Sequence, residues 1–175
     1  MRAFVAIELP PSFAGEVAAV ARQLSAAIEA RYIPRENYHI TLAFLGEVSE
    51  AQLHDAMEAL DEAAAGMEPF PLVPDGIGKF GKSHNATLWM GIAKVPGLME
   101  LAERLRKALQ ARGVDFDDKA FLPHITLARH ADIPNAELPQ LLFPQEAMAE
   151  RVTLFKSTLH KDGAIYKPLH TVEWD

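Results

Sequence analysis

The sequence predicts an α+β fold with antiparallel sheets, on three observations. Predicted strands and three main helices are mixed along the chain, but the alternation that builds a parallel sheet is incomplete. The chain closes on a hairpin signal, Lys161-Asp162-Gly163, between two apolar runs. The pentapeptide His39-Ile40-Thr41-Leu42-Ala43 recurs unchanged as His124-Ile125-Thr126-Leu127-Ala128, an offset of 85 residues (124 − 39), which marks an internal duplication.

The elements follow in order. Residues 2–9 are apolar and β-branched and stop at Pro10-Pro11, which predicts a first strand. Ser12 is placed to cap a helix over 13–30, where Phe13, Val17, Val20, Leu24 and Ile28 recur at helical spacing. A short extended piece over 31–34 ends at Pro34. Residues 38–45 read as a strand closed by Gly46. Ser49 starts a second helix, with Gln52 at the capping-box position and Leu53, Met57 and Leu60 on one face. Prolines and glycines among the apolar residues of 69–80 predict a bent or edge strand. Residues 86–93 form a further strand, 97–112 a helix ending at Gly113, and 121–128 a strand. The stretch 131–146 holds three prolines and predicts a loop with a helical turn. Two last strands run over about 148–160 and 164–174. No linker or low-complexity tract divides the 175 residues. We therefore expect a single domain over 1–175 in two halves, with motif copies at 39–43 and 124–128.

Composition narrows the function. Apolar residues make up 49% and charged residues 23%, as in a folded globular chain. The absence of cysteine excludes disulfides, thiolate metal sites and cysteine nucleophiles. With 17 basic and 24 acidic residues the net charge is −7, which argues against a broad grip on duplex nucleic acid. A nucleic-acid substrate is expected to be held locally, by its end. No apolar run is long enough to span a membrane, and the first ten residues do not read as a signal peptide. The expectation is a cytoplasmic monomer with no membrane contact, no protein partner and no cofactor.

The repeat carries the chemistry. Residues two apart in a strand share a face. His39 and Thr41 point one way, while Ile40 and Leu42 point into a core. The same holds for His124 and Thr126 against Ile125 and Leu127. Two such strands side by side about a pseudo-twofold axis bring two imidazoles and two hydroxyls to one spot. A neutral imidazole takes a proton from water, and a protonated twin gives one to a departing alkoxide. The threonine hydroxyls bond the non-bridging oxygens of a phosphate diester. This chemistry needs no metal.

These residues resemble the two-histidine phosphoesterase superfamily, and within it the RNA 2',3'-cyclic phosphodiesterase branch long known as 2'-5' RNA ligase. The resemblance spans the opening strand Arg2-Ala3-Phe4-Val5-Ala6-Ile7, both motif segments, and Val152-Thr153-Leu154-Phe155-Lys156-Ser157 with Tyr166. It implies a bilobal fold of two pseudo-symmetric α+β halves around a cleft. It implies hydrolysis of RNA ends bearing a 2',3'-cyclic phosphate to 2'-phosphomonoesters, with weak reverse 2'-5' joining. It makes His39 the proton donor and His124 the proton acceptor, with Thr41 and Thr126 on the phosphate. Tyr32 departs from the pattern, since relatives often carry tryptophan there. Two other readings of the same motif are a non-catalytic nucleotide sensor and a phosphodiesterase for another small nucleotide.

Further residues are weighed singly. Arg129 ends the second motif with the wrong parity to share the face of His124. A twist or bulge is needed to bring it to the phosphate, where the family pattern places it. Phe44 shares the parity of Ile40 and Leu42, so core packing is expected, with base stacking in the cleft as the alternative. Arg35 and Tyr38 flank the first motif, and Arg35 is a candidate for the cleft rim. His54, His84, His130, His160 and His170 show no ligand spacing, so no metal site is expected. His130 follows the second motif and is a candidate to support it. The glycines of 76–82 lack the spacing of a phosphate loop and suit a bend, and Lys79 and Lys82 are expected near the substrate.

Overall fold

The computed structural model describes residues 1–134, 138 and 140–174. It runs β1 (Arg2–Glu8), α1 (Pro11–Ser25), β2 (Glu29–Tyr32), a 3-10 turn (Arg35–Asn37), β3 (His39–Glu47), α2 (Glu50–Ala64), β4 (Pro71–Leu72) and β5 (Pro74–Lys82). It continues with β6 (Asn85–Ile92), α3 (Pro96–Ala111), β7 (His124–Asp132), β8 (Ala147–Met148), β9 (Arg151–His160) and β10 (Gly163–Glu173).

The helices start and stop for local reasons. Pro11 and Pro96 occupy the first turns of α1 and α3, where a missing N–H costs nothing. Ser12 is therefore inside α1 rather than its cap, and Pro10 precedes the helix with an extended backbone. α1 stops at Ser25, short of the expected 30, because Glu29 already pairs in a sheet. The capping box at α2 is complete, with Ser49 and Gln52 exchanging side-chain and backbone bonds. Gly113 follows α3 with φ of +69°, which glycine adopts at low cost.

Two four-stranded antiparallel sheets form, in the orders β10-β9-β1-β3 and β2-β7-β6-β5. Ile40 and Leu42 of β3 and Ile125 and Leu127 of β7 are fully buried. They join one core with Phe13, Val17 and Leu24 of α1 and Leu98, Leu101 and Leu105 of α3. β3 and β7 keep the 85-residue offset end to end, and so do the starts of α1 and α3. β1 and β6 do not. Glu8 lies opposite His39 and Gly91 opposite His124, so these strands correspond at an offset of 83 (91 − 8).

The outer strands break the duplication. β2, from early in the chain, pairs with β7 and completes the second sheet. β9 and β10, from the end, complete the first. The final hairpin turns through Lys161-Asp162 alone, since Gly163 already pairs with His160 at φ of +122°. β7 extends to Asp132, beyond the expected end of its strand. The helical turn expected in 131–146 overlaps residues 135–137 and 139, which lie outside the described residues. Among the described residues no helix is long and apolar enough to cross a membrane.

Candidate active site

Each motif strand carries a β-bulge that re-aims the residue five places after its histidine. On β3, Thr41 pairs with Ala6 but Ala43, not Leu42, pairs with Val5. Leu42 and Ala43 are therefore both buried, and alternation skips one place. Phe44 emerges on the face of His39 and Thr41, 37% exposed. The core role expected for Phe44 is overturned for that reason, because its ring lines the cavity. β7 repeats the device. Thr126 pairs with Trp89 and Ala128 with Leu88, Leu127 and Ala128 are both buried, and Arg129 emerges beside His124 and Thr126.

Between the two sheets lies a cavity of about 290 Å³. His39, Thr41, Phe44, Phe4, Ser157 and Tyr166 line it from the first sheet, and His124, Thr126, Arg129, Thr87 and Phe80 from the second. Asn37 and Ile33 complete the wall.

Both imidazoles are held alike. Nδ1 of His39 lies 2.8 Å from the carbonyl oxygen of Asn37, and Nδ1 of His124 lies 2.6 Å from that of Leu122. A carbonyl only accepts, so each Nδ1 carries a hydrogen, and Nε2 is left to exchange a proton. Aromatic rings set the orientation further. Phe4 lies 4.9 Å from His39 between centroids, and Tyr166 meets His39 edge-on at 5.3 Å. Phe80 meets His124 edge-on at 5.3 Å, and Trp89 lies 5.8 Å away. Gly78 admits that indole, since a Cβ there would stand 2.2 Å from it.

The surroundings disfavour charge on His39. Burial among these rings pushes the His39 imidazolium down to about 4. The Asn37 carbonyl opposes this, while His124 and Arg129 push the same way by charge repulsion. Burial also raises the Tyr166 phenol, against a smaller opposing pull from Arg129, so Tyr166 is a neutral hydrogen-bond donor at pH 7.

Several expected residues lie elsewhere. Arg35 is not in this cavity. Its guanidinium donates to the Pro11 carbonyl at 3.0 Å, packs on Gly15 and lines a neighbouring groove behind His39. Tyr38 is 8% exposed and belongs to the core. Tyr32 bonds the Ile28 carbonyl and packs on the core, so its departure from tryptophan does not reach the cavity. Lys79 folds back onto the Gly81 carbonyl, and the strand that carries it presents Phe80 to the cavity instead of a lysine. His130 takes a φ of +53° after the bulge, and its Nδ1 lies 3.1 Å from Asn85 Oδ1. His170 pairs with Asp61 at 2.7 Å, away from the site. Sequence reasoning missed Phe4, Ile33, Asn37, Phe80, Thr87, Ser157 and Tyr166 as cavity residues. The one local signal was strand parity on β5, which sets Phe80 opposite in phase to Lys79.

Two histidines, each followed two places on by a threonine and facing one cavity from twin strands, define the two-histidine class of phosphoesterase site. Comparison with known proteins agrees. A family model described as the 2'-5' RNA ligase superfamily matches residues 9–161. An RNA 2',3'-cyclic phosphodiesterase of Thermotoga maritima is 31% identical over all of this chain and 96% of its own length. One from Escherichia coli K12 is 32% identical over 96% of this chain and 93% of its own. Among solved structures, TT0787 of Thermus thermophilus superposes with a TM-score of 0.84 at 28% identity, covering 99% of this chain and 97% of that one. Escherichia coli LigT complexed with 3'-AMP superposes at 0.82 and 28% identity, with the same coverage. The chain belongs to the 2'-5' RNA ligase superfamily of two-histidine phosphoesterases.

Proposed function

We propose that this protein is an RNA 2',3'-cyclic phosphodiesterase that yields 2'-phosphomonoester ends by metal-independent acid-base catalysis. His124 Nε2 takes a proton from water as the water oxygen attacks phosphorus. The bond from phosphorus to the 3'-oxygen breaks, and His39 Nε2 delivers a proton to that oxygen. Thr41, Thr126 and Arg129 hold the non-bridging oxygens and the charge that grows on them. With a 5'-hydroxyl in place of water, the same step joins two ends through a 2'-5' linkage, weakly, because water competes.

The observation that carries this reading is the matched pair of Nδ1 bonds to backbone carbonyls. They leave two Nε2 atoms on opposite walls of one cavity that also holds both threonines and Arg129. The donor role asks His39 to be protonated, although burial disfavours its charge. A bound phosphate supplies the missing counter-charge, and in a partly desolvated site that attraction is strong. Proton uptake on binding is therefore expected. Calorimetry of a 2'-nucleotide at pH 6.5, in buffers of different ionisation enthalpy, reads it directly. Binding with no proton uptake would remove His39 as the donor.

The activity test is hydrolysis of cyclic-ended oligonucleotides in EDTA, with the product phosphate assigned by phosphorus NMR. A 3'-phosphate product, or loss of turnover on chelation, would reject the mechanism.

A further inference from the structure

We propose that Arg2 binds the phosphodiester joining the terminal nucleotide to the rest of an RNA strand, so that the cleft favours a polynucleotide end over a lone cyclic nucleotide. This rests on the function proposed above. Along β1, Phe4 faces the cavity and touches His39. Arg2, two residues earlier, shares that face. Its partner across β9 is Ser157, which lines the cavity. Its guanidinium lies 5.2 Å from the centroid of Phe44, which lines it too.

Arg2 itself is exposed and stands outside the lining, so it marks the rim. Two strand residues span about 7 Å, a distance on the scale of the step from one phosphate to the next. The group Arg2 reaches is thus the neighbour of the reacting phosphate, which falls to Arg129 inside.

The guanidinium is available for this. Glu47 lies across the strand from Arg2, but the terminal ammonium of Met1 takes its carboxylate at 2.7 Å. Among the described residues the Arg2 guanidinium makes no hydrogen bond or ion pair, and its charge acts on Glu47 through space. Laid over an aromatic face, it keeps its in-plane N–H groups for a phosphate. Nor is it a relic of the duplication. The matching place in the second sheet is Asn85, whose side chain meets His130.

The test compares adenosine 2',3'-cyclic phosphate with a cyclic-ended diadenylate. Arg2→Gln should lower kcat/KM about tenfold on the dinucleotide and less than twofold on the mononucleoside. The slope of log KM against log salt for the dinucleotide should fall by about 0.7, the value for one single-strand phosphate contact. Arg2→Lys keeps the charge and should restore most of that slope. Equal losses on both substrates would mean that Arg2 merely braces Phe44, and would overturn the inference. So would no loss on either. A wild-type protein inert on both substrates overturns the proposed function and this inference with it.

Discussion

His39 and His124 begin twin strands, make the same backbone bond and precede the same bulge, yet they face unlike walls. Around His39 stand Phe4 and Tyr166, with Phe155 stacked on Phe4 at 5.3 Å. Around His124 stand Phe80 and Trp89, and beyond them the polar Thr87 and Arg129. The clearest contrast is at equivalent places after the bulge, where the first sheet presents Phe44 and the second presents Arg129. Duplication supplied two histidines on identical strand segments. Divergence around them left the first wall with a phenylalanine and the second with an arginine, whose charge also bears on His39. The acid-base scheme proposed above needs the two imidazoles in different protonation states, and bound phosphate has to supply that difference, because burial in the free protein disfavours charge on His39.

The comparison is broken most severely at the histidines. His39→Ala and His124→Ala should each lower kcat by at least ~100-fold on a cyclic-ended RNA, the low end for loss of a general acid or base. Steady-state kinetics decides it, and full activity in either variant removes the acid-base scheme. The walls come next. Arg129→Gln should cost roughly tenfold or more in kcat/KM, since a charge-assisted phosphate contact goes. The exchange Phe44→Arg with Arg129→Phe returns the cation from the opposite wall. It should not recover the loss, because the charge then sits on the wrong side of the reacting atom. Recovery in the exchanged protein would show that the walls are interchangeable.

Smaller effects sharpen the picture. Gly78→Ala should destabilise by about 2 kcal/mol, as overpacking does, because Trp89 must move from its place against His124. Denaturant unfolding measures this, and Phe4→Leu on the other wall gives the matched figure. His39 also leaves a mark on acid stability. Its folded value of about 4 lies below the ordinary 6.5, so its neutral form favours the folded state. That contribution is complete above pH 6.5 and is lost as the pH falls toward 4. Allowing for solvent at the cavity, the loss by pH 5 is on the order of 1 kcal/mol. His39→Ala should flatten the melting temperature between pH 7 and pH 5, and an unchanged slope would contradict the burial argument.

Much of the site could be read directly from residue order. Strand periodicity placed His39, Thr41, His124 and Thr126 on one face each, and their neighbours in the core. Parity failed at the next step for Phe44, where a strict period of two predicts the interior. The run Leu42-Ala43 before Phe44 and Leu127-Ala128 before Arg129 was the available clue, since two successive apolar residues suit a bulge. Arg35 was misplaced because nearness in sequence does not fix direction, and the start of α1 captures its side chain. The glycine-rich strand was read for Lys79 and Lys82, while pleating turned Phe80 to the cavity.

Residue order by itself determined the α+β class, the helix start at the Ser49 capping box, and the duplicated histidine-threonine pair. Those depend on local periodicity and on identity between segments, which need no partner strand. Only the tertiary structure decided that β2, β9 and β10 cross between the halves, that both bulges aim Phe44 and Arg129 inward, and that rings from other strands pack on His39. A bulge exists only against a paired strand, and the rings that pack on His39 come from residues 4 and 166, so neither is written near the motif they act on.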